Sequence, residues 1–599
     1  MKKRATTPIR VLGPLTGVLA LALTLQACGA AEPPTPPPTP TTAPAIIATP
    51  TTVATPSPAP RVVASPTPAP AATATPAGPQ PKYGGIAVFA HRGDPTTWDL
   101  LLDTNRNLTL LLAPIAGPGT LVTRCRENNF EICPYLAESW EPNPTFTEWT
   151  FRVRQGVVWH DGTPLTAEDI KWWLDLTVKG LSGRKPSKDA AKFGPIEKVE
   201  VVDRDKVRIV LSEPRVEYPA PLTERWAYLA YPRHLMKPQM DKGNVSVAPN
   251  EVGWVSAGPF KVARYDKGSV FQVRRFDRYW EKDEKGRQLP FLDGIDYPII
   301  SESSTVLAAF RTGRVDRTGL GSGHFLVRPQ MDTLKRELGD KVWFANYPPT
   351  GQLMGINARK APYNDVRVRQ AISLWLDRQD YIDAIQDGDG DLVAVWLPTS
   401  PYTNPDFREW PGWNPRTKAQ DRKRAQELLA QAGYPNGFKV TILTGQAWIN
   451  YGEWAQAQLA GLLGQGNVRI EIVDSTTFFD RLCRSAFELV NPLSSGVEAR
   501  YSAETVAGGY VSTNRCSYIQ HDDKKVDQLF AQIASSFVKE ERTRLMRDVE
   551  RYLSTESWLA LNIAVEKSWA AYRGYVKGWA MPLTHVTGNA DYATTWLDK

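Results

Sequence analysis

From Trp149 to Val153 apolar and polar residues alternate, the period of a half-buried strand. Before it, residues 136–141 read as the end of a helix, closed by Pro142, Asn143 and Pro144. After it, His160-Asp161-Gly162-Thr163-Pro164 forms a tight turn, and a helix follows with its own start signal. Thr166 can accept from the next turn of backbone, with Asp169 three residues on, as in a capping box. Ile170, Trp173, Leu174 and Thr177 then recur at helical spacing. Alternation at 196–202 and 207–211 predicts two more strands. Val368, Ala371, Ile372 and Trp375 fit one helical face. So do Ala425, Leu428, Leu429 and Ala432, stopped by Gly433 and Pro435. Strand-like runs at 438–443 and 468–473 flank a helix, an α/β arrangement. Near the end, Val526, Leu529, Phe530, Ile533 and Phe537 form an amphipathic face, and Leu545, Val549 and Leu553 form another.

The chain has 599 residues, too many for one ordinary core, so two or more lobes are expected. Its net charge of +7 comes from dispersed residues with no block of like charge, which argues against a nucleic-acid partner. The start is basic (Lys2, Lys3, Arg4, Arg10), and residues 11–27 are uncharged and mostly apolar, which is the length of a signal h-region. Residues 29–81 hold 17 Pro among 53 residues, with only Glu32 and Arg61 charged. Such a segment cannot bury enough apolar surface to fold. As an extended stalk it would reach about 160 Å. Cys125 and Cys133 are spaced to staple a hairpin, and Cys483 and Cys516 could close a second loop. Disulfides and free buried thiols both stay open as readings of these four. No Cys or His spacing suggests zinc.

Leu25-Gln26-Ala27-Cys28 resembles a bacterial lipobox, with Gln26 where a small residue is usual; the match implies that Cys28 is lipidated. Further on, residues 136–141 (LAESWE) and 160–169 (HDGTPLTAED) stand in the order of a longer known signature. The segments SAGPFKV (256–262), LPFLDGI (289–295), AAFRTGRVD (308–316) and PYNDVRVRQAIS (362–373) continue it in order. The sequence therefore resembles family 5 solute-binding proteins, the extracytoplasmic peptide, nickel and oligosaccharide receptors of ABC importers. The resemblance covers most of residue 82 to about residue 552. It implies an α/β, two-lobed periplasmic-binding-protein type II fold, in the large family 5 variant with an extra subdomain in lobe I. The expected divisions are a signal peptide at 1–27, a lipidated Cys and disordered linker at 28–81, and lobe I at 82–350. The subdomain is expected at about 119–250, lobe II at 351–494, and the return to lobe I at 495–599.

No catalytic signature stands out: there is no GxSxG, HExxH or Walker loop, and the six His are isolated. Asp387-Gly388-Asp389-Gly390-Asp391 starts like a calcium loop but has Leu392 and Pro398 where Gly and Glu are needed, so it reads as a polar surface turn. No cofactor or metal is expected. A buried ligand needs stacking aromatics and a few polar groups. Trp98, in a loop resembling the family's cleft loop, and Trp448, in a loop after a strand, are candidates, each with plain packing as the alternative. At 487–510 the peptide-binding pattern has an Asp that pairs with the peptide's amino terminus. Here the Ala-x-Tyr step places Arg500 at that position, and other registers bring in Val497 or Glu498. An Arg repels an ammonium and attracts a carboxylate or phosphate. The candidate contacts are therefore Trp98, Trp448, Asn491, Glu498, Arg500 and Tyr501. The expected function is that of a lipid-anchored extracytoplasmic receptor. It would act as a monomer, bind oligopeptides or oligosaccharides, and deliver them to ABC permease subunits. A surface-anchored hydrolase is the alternative of another class.

Overall fold

The computed structural model describes residues 80–599 except 103–105, 125–130, 225–226, 320–323, 399, 496–508, 515 and 579–591. At a few further positions, Asn491 among them, only the backbone is described. The leader, Cys28 and most of the linker lie outside these residues.

A four-stranded antiparallel sheet is ordered Ala137–Pro142, Glu148–Val153, Lys206–Leu211, Ile196–Asp203. The alternation at 149–153 becomes strand Glu148–Val153, whose Trp149, Phe151 and Val153 are buried. The expected helical end at 136–141 is instead the edge strand Ala137–Pro142, paired with Glu148–Val153 around a turn. Local sequence does not decide such a segment; the hairpin partner does. Pro142 is tolerated because it ends an edge strand. The helix after the turn starts where expected, at Ala167, and Asp169 reaches back to accept from the Thr166 backbone N–H at 2.9 Å. Asp169 also accepts from Arg233 Nε at 3.1 Å. The His160 ring accepts at Nδ1 from the Ser256 N–H and donates from Nε2 to the Gly258 carbonyl, tying two of the recognisable sequence segments together.

A second four-stranded sheet is ordered Ile86–Val88, Gly294–Pro298, Val270–Arg275, Phe260–Asp266. The third and largest runs Gly390–Leu392, Leu561–Arg573, Val342–Asn357, Leu489–Ser495, Val440–Gly445, Val468–Val473, with Ile519–Gln520 attached to Val342–Asn357. Two long strands of this sheet span two cores. Ala345, Ala570 and Tyr572 belong to a core built mainly from residues 87–297, whereas Leu353, Ile356, Leu561 and Ile563 belong to one built from residues 353–564. Helices Lys524–Ser535 and Lys539–Arg551 pack into the second core through Val526, Phe530, Leu545 and Val549. Phe537, expected on the first of these helical faces, falls beyond the helix end and stacks on Phe146 at 5.0 Å. Between the cores the pairing of the two strands slips, from Tyr347 opposite Ser568 to Thr350 opposite Glu566. Pro348 and Pro349 occupy the slip and have no N–H to donate.

Cys483 and Cys516 form a disulfide. Cys133 is also disulfide-bonded and stands in the hairpin of Val122–Arg124 and Ile132–Pro134; Cys125, its expected partner, lies outside the described residues.

Candidate ligand site at the carboxyl edge of the large sheet

Strands Val440–Gly445, Val468–Val473 and Leu489–Ser495 run parallel, so their carboxyl ends share one edge. Open α/β sheets bind ligands at that edge. Leu561–Arg573 runs the same way, because both it and Leu489–Ser495 are antiparallel to Val342–Asn357. Gly351 stands opposite both Ser495 and Val565, which puts Glu566 level with the end of Leu489–Ser495.

After Val440–Gly445 the chain turns through Gln446–Trp448 into helix Ile449–Leu463. Gly445 has to be glycine here: a Cβ would meet Trp448 Cε3 at 2.7 Å. Trp448 is half-buried and lies tilted against Phe478 at 5.5 Å, over a small cluster with Leu443, Phe487 and Val490. One turn on, the Tyr451 hydroxyl donates to Glu566 Oε1. The Tyr381 hydroxyl, from helix Arg378–Ile385, reaches the same oxygen at 3.4 Å. Tyr381 is buried edge-on against Trp454 at 4.9 Å, and Trp454 Nε1 donates to Asp380 at 2.9 Å, locking the two helices together. Burial raises the pKa of Glu566 from its ordinary value, opposed by hydrogen bonds from Tyr451, Tyr381, Gln352 and Gln386. Burial also pushes both phenols upward, so each keeps its proton as a donor.

Trp98 lies elsewhere. It is 7% exposed, stacked on Phe271 at 5.3 Å and edge-on to Trp254 and Tyr265 at 5.2 and 5.1 Å. Tyr265 donates to Asp94 at 2.9 Å, so the loop at 94–99 is fastened to a hairpin. Trp98 and Trp448 belong to different clusters. Asn491 stands in strand Leu489–Ser495, its side chain not described, and Glu498, Arg500 and Tyr501 lie outside the described residues. All four fall between Cys483 and Cys516, inside the loop that the disulfide closes. The calcium-like turn is taken up by protein partners: Asp389 accepts from Trp569 Nε1 at 2.5 Å and from Lys567 at 3.3 Å, and Asp391 pairs with Arg408 at 2.7 Å.

The sequence did not single out Glu566, Tyr451, Tyr381, Gln352 or Gln386. The one available signal was the charge itself: Glu566 interrupts the apolar run 563–565 within a strand.

This architecture, two α/β cores joined by long strands, defines a two-lobed binding protein of the periplasmic type II fold. The structure of DppA from Helicobacter pylori in complex with the peptide STSA superposes with a TM-score of 0.69 at 23% identity, covering 86% of this chain and 99% of that one. The chain belongs to the bacterial extracellular solute-binding proteins, family 5, whose model matches residues 131–493. The periplasmic oligopeptide-binding protein OppA of Salmonella typhimurium is 28% identical over 322 residues, 50% of this chain and 54% of that protein. The chain thus spans about half the length of that relative. The glutathione-binding protein GsiB of Escherichia coli is 24% identical over 467 residues, 75% of this chain and 84% of that protein.

Proposed function

We propose that this protein is the extracytoplasmic receptor of an ABC importer, held to a membrane by lipidated Cys28 and binding oligopeptides between its lobes. One observation carries the reading. The strands Val342–Asn357 and Leu561–Arg573 pass from one core to the other, and their pairing slips at Pro348-Pro349. A pairing interrupted between two packed cores, at two residues that cannot donate, suits hinge closure. The peptide class draws support from the names of the relatives, OppA and GsiB. The proposed anchor at Cys28 draws support from the basic, apolar leader and the lipobox-like Leu25-Gln26-Ala27-Cys28. The half-buried Trp448 ring favours an oligosaccharide as the second reading, since sugar faces stack on such rings.

A thermal-shift screen with pools of oligopeptides and of cello- and xylo-oligosaccharides tests the proposal. A saturable upward shift with peptides supports it. A shift with sugars alone moves the ligand to the second reading. Conversion of either pool to products would replace the receptor with a hydrolase.

A further inference from the structure

The two cores also meet away from their linking strands. Phe537, Lys539 and Arg542 come from one segment of the second core, where helix Lys524–Ser535 ends and helix Lys539–Arg551 begins. Phe530 and Ile533 anchor that segment on one side, Leu545 and Met546 on the other. Its partners come from separate parts of the first core. Phe537 stacks on Phe146 at 5.0 Å, with the rings 20° from parallel. Arg542 Nε lies 3.4 Å from Glu217 Oε1, and Arg542 Nη1 donates to the Ser536 carbonyl at 3.0 Å, which steadies the guanidinium. Lys539 pairs with Glu131 at 3.0 Å. The Phe146 ring packs against the first core, and Glu217 directly precedes Tyr218, which is buried in it.

These contacts are unequal. The side chains of Lys539 and Glu131 are 71% and 57% exposed, so that pair is screened by water and contributes little. Those of Arg542 and Glu217 are only 12% and 18% exposed, where screening is much weaker. Tyr402, buried in the second core, feels the charges of both. The backbone at Phe146 adds an independent sign. Its φ of +54° lies in a region that a bulky residue rarely occupies. The turn imposes it: Asn143 Oδ1 accepts from the N–H groups of Thr147 and Glu148 at 2.9 and 3.1 Å, and the Phe146 carbonyl accepts from the Arg215 N–H at 2.9 Å. Such strain persists only where its surroundings over-determine it, and it collects at switch regions.

We propose that Phe537 and Arg542, seated on Phe146 and Glu217, form a clasp that holds the two cores in the arrangement seen here and is released when they rotate about the slip at Pro348-Pro349. Ring stacking and a shielded ion pair both weaken steeply with separation, so the clasp favours two distinct arrangements over a continuous range. It concerns the cores themselves and depends neither on the solute nor on the receptor reading.

The test measures the distance between the cores in the mature full-length protein, stripped of solute by dialysis from urea. Spin labels are attached through unnatural amino acids at the exposed positions Lys242 and Lys423, which leaves the disulfides intact. Wild type is expected to show one narrow distance, that of the structure. Arg542→Ala and Glu217→Ala should each raise the ratio of molecules outside that distance about 10-fold, the scale of a hydrogen-bonded charged pair. Because the two act as one contact, the double variant should shift no further than either alone. Phe537→Ala should shift the ratio about 5-fold and multiply with Arg542→Ala. Its side chain is 54% exposed, so this variant serves if Arg542→Ala does not fold. Lys539→Ala should stay within about twofold of wild type. A wild type without the distance of the structure, or folded Arg542→Ala and Phe537→Ala variants with the wild-type distribution, would overturn the clasp; so would effects of Arg542→Ala and Glu217→Ala that multiply.

Discussion

The disulfide Cys483–Cys516 closes a loop that contains strand Leu489–Ser495 and the four sequence candidates Asn491, Glu498, Arg500 and Tyr501. Its loss in Cys483→Ser/Cys516→Ser should act in two ways. The cross-link has a sequence separation of 33. In the chain-entropy treatment, closing a loop of that size in the unfolded chain is worth about 3.7 kcal/mol at 25 °C. The paired strand and the packing of Phe487 and Val490 against Leu443 remain in the variant, so the native state should persist and the effect should fall mainly on the unfolded chain. Urea unfolding followed by fluorescence and circular dichroism should therefore show the second core destabilised by about 3–4 kcal/mol. The midpoint should fall while the slope rises slightly, because the uncrosslinked unfolded chain exposes more surface. Peptide affinity should fall as well, since the strand ends at Ser495 on the carboxyl edge of the sheet and the chain beyond it would lose its tie at Cys516. A variant within about 0.5 kcal/mol of wild type, or native protein in which both thiols react with a thiol reagent, would refute this reasoning.

Trp98→Ala should cost about 3–5 kcal/mol, since the ring fills a core between Phe271, Trp254 and Tyr265, yet leave ligand affinity in the folded protein unchanged; weakened binding at equal foldedness would return Trp98 to the site. Arg378 is buried over Trp413 at 4.0 Å and donates to the carbonyls of Asn562, Ser373 and Gly412 at 2.7, 2.9 and 2.8 Å. Arg378→Met leaves those acceptors without their cation and should destabilise the second core by about 4 kcal/mol in chemical unfolding, with a change under 1 kcal/mol counting against it. Burial depresses His91 to about 3, so its neutral form stabilises the fold above pH 6.5 and that contribution is lost as pH falls, about 3 kcal/mol by pH 4. Glu550 has the opposite sign. Burial raises it to about 7 despite N–H donors from Val395, Trp396 and Asn404, so its contribution is present below pH 4.5 and lost as pH rises through 7. His91 lies beside the first core and Glu550 in the second, so acid should loosen the first core before the second; hydrogen exchange at pH 4 and pH 7 would show it, and uniform loosening would contradict it.

What the sequence made legible was local or carried by resemblance. The strand at 149–153 needed only its alternation, and the helix at Ala167 needed only Thr166 and Asp169. The helix stop at Gly433 follows from a residue whose φ is +93°, a conformation that favours glycine. Residues 136–141 were misread because an edge strand takes its conformation from its partner at 148–153. Trp98 was ambiguous for a similar reason, since its three ring neighbours stand at 254, 265 and 271. Glu566 was invisible among 64 carboxylates because what distinguishes it is assembled from positions 352, 381, 386 and 451. The long match at 136–169 identified a family through scaffold: His160 and Asp169 hold segments together.

The central claim is that this protein binds a solute reversibly and releases it unchanged. It can be checked by calorimetric titration of the mature protein with a pool of oligopeptides, followed by mass spectrometry of the recovered peptides. Saturable binding of one peptide per chain and quantitative recovery of intact peptide are expected. Cleaved peptide, or no heat with any peptide pool, would contradict it.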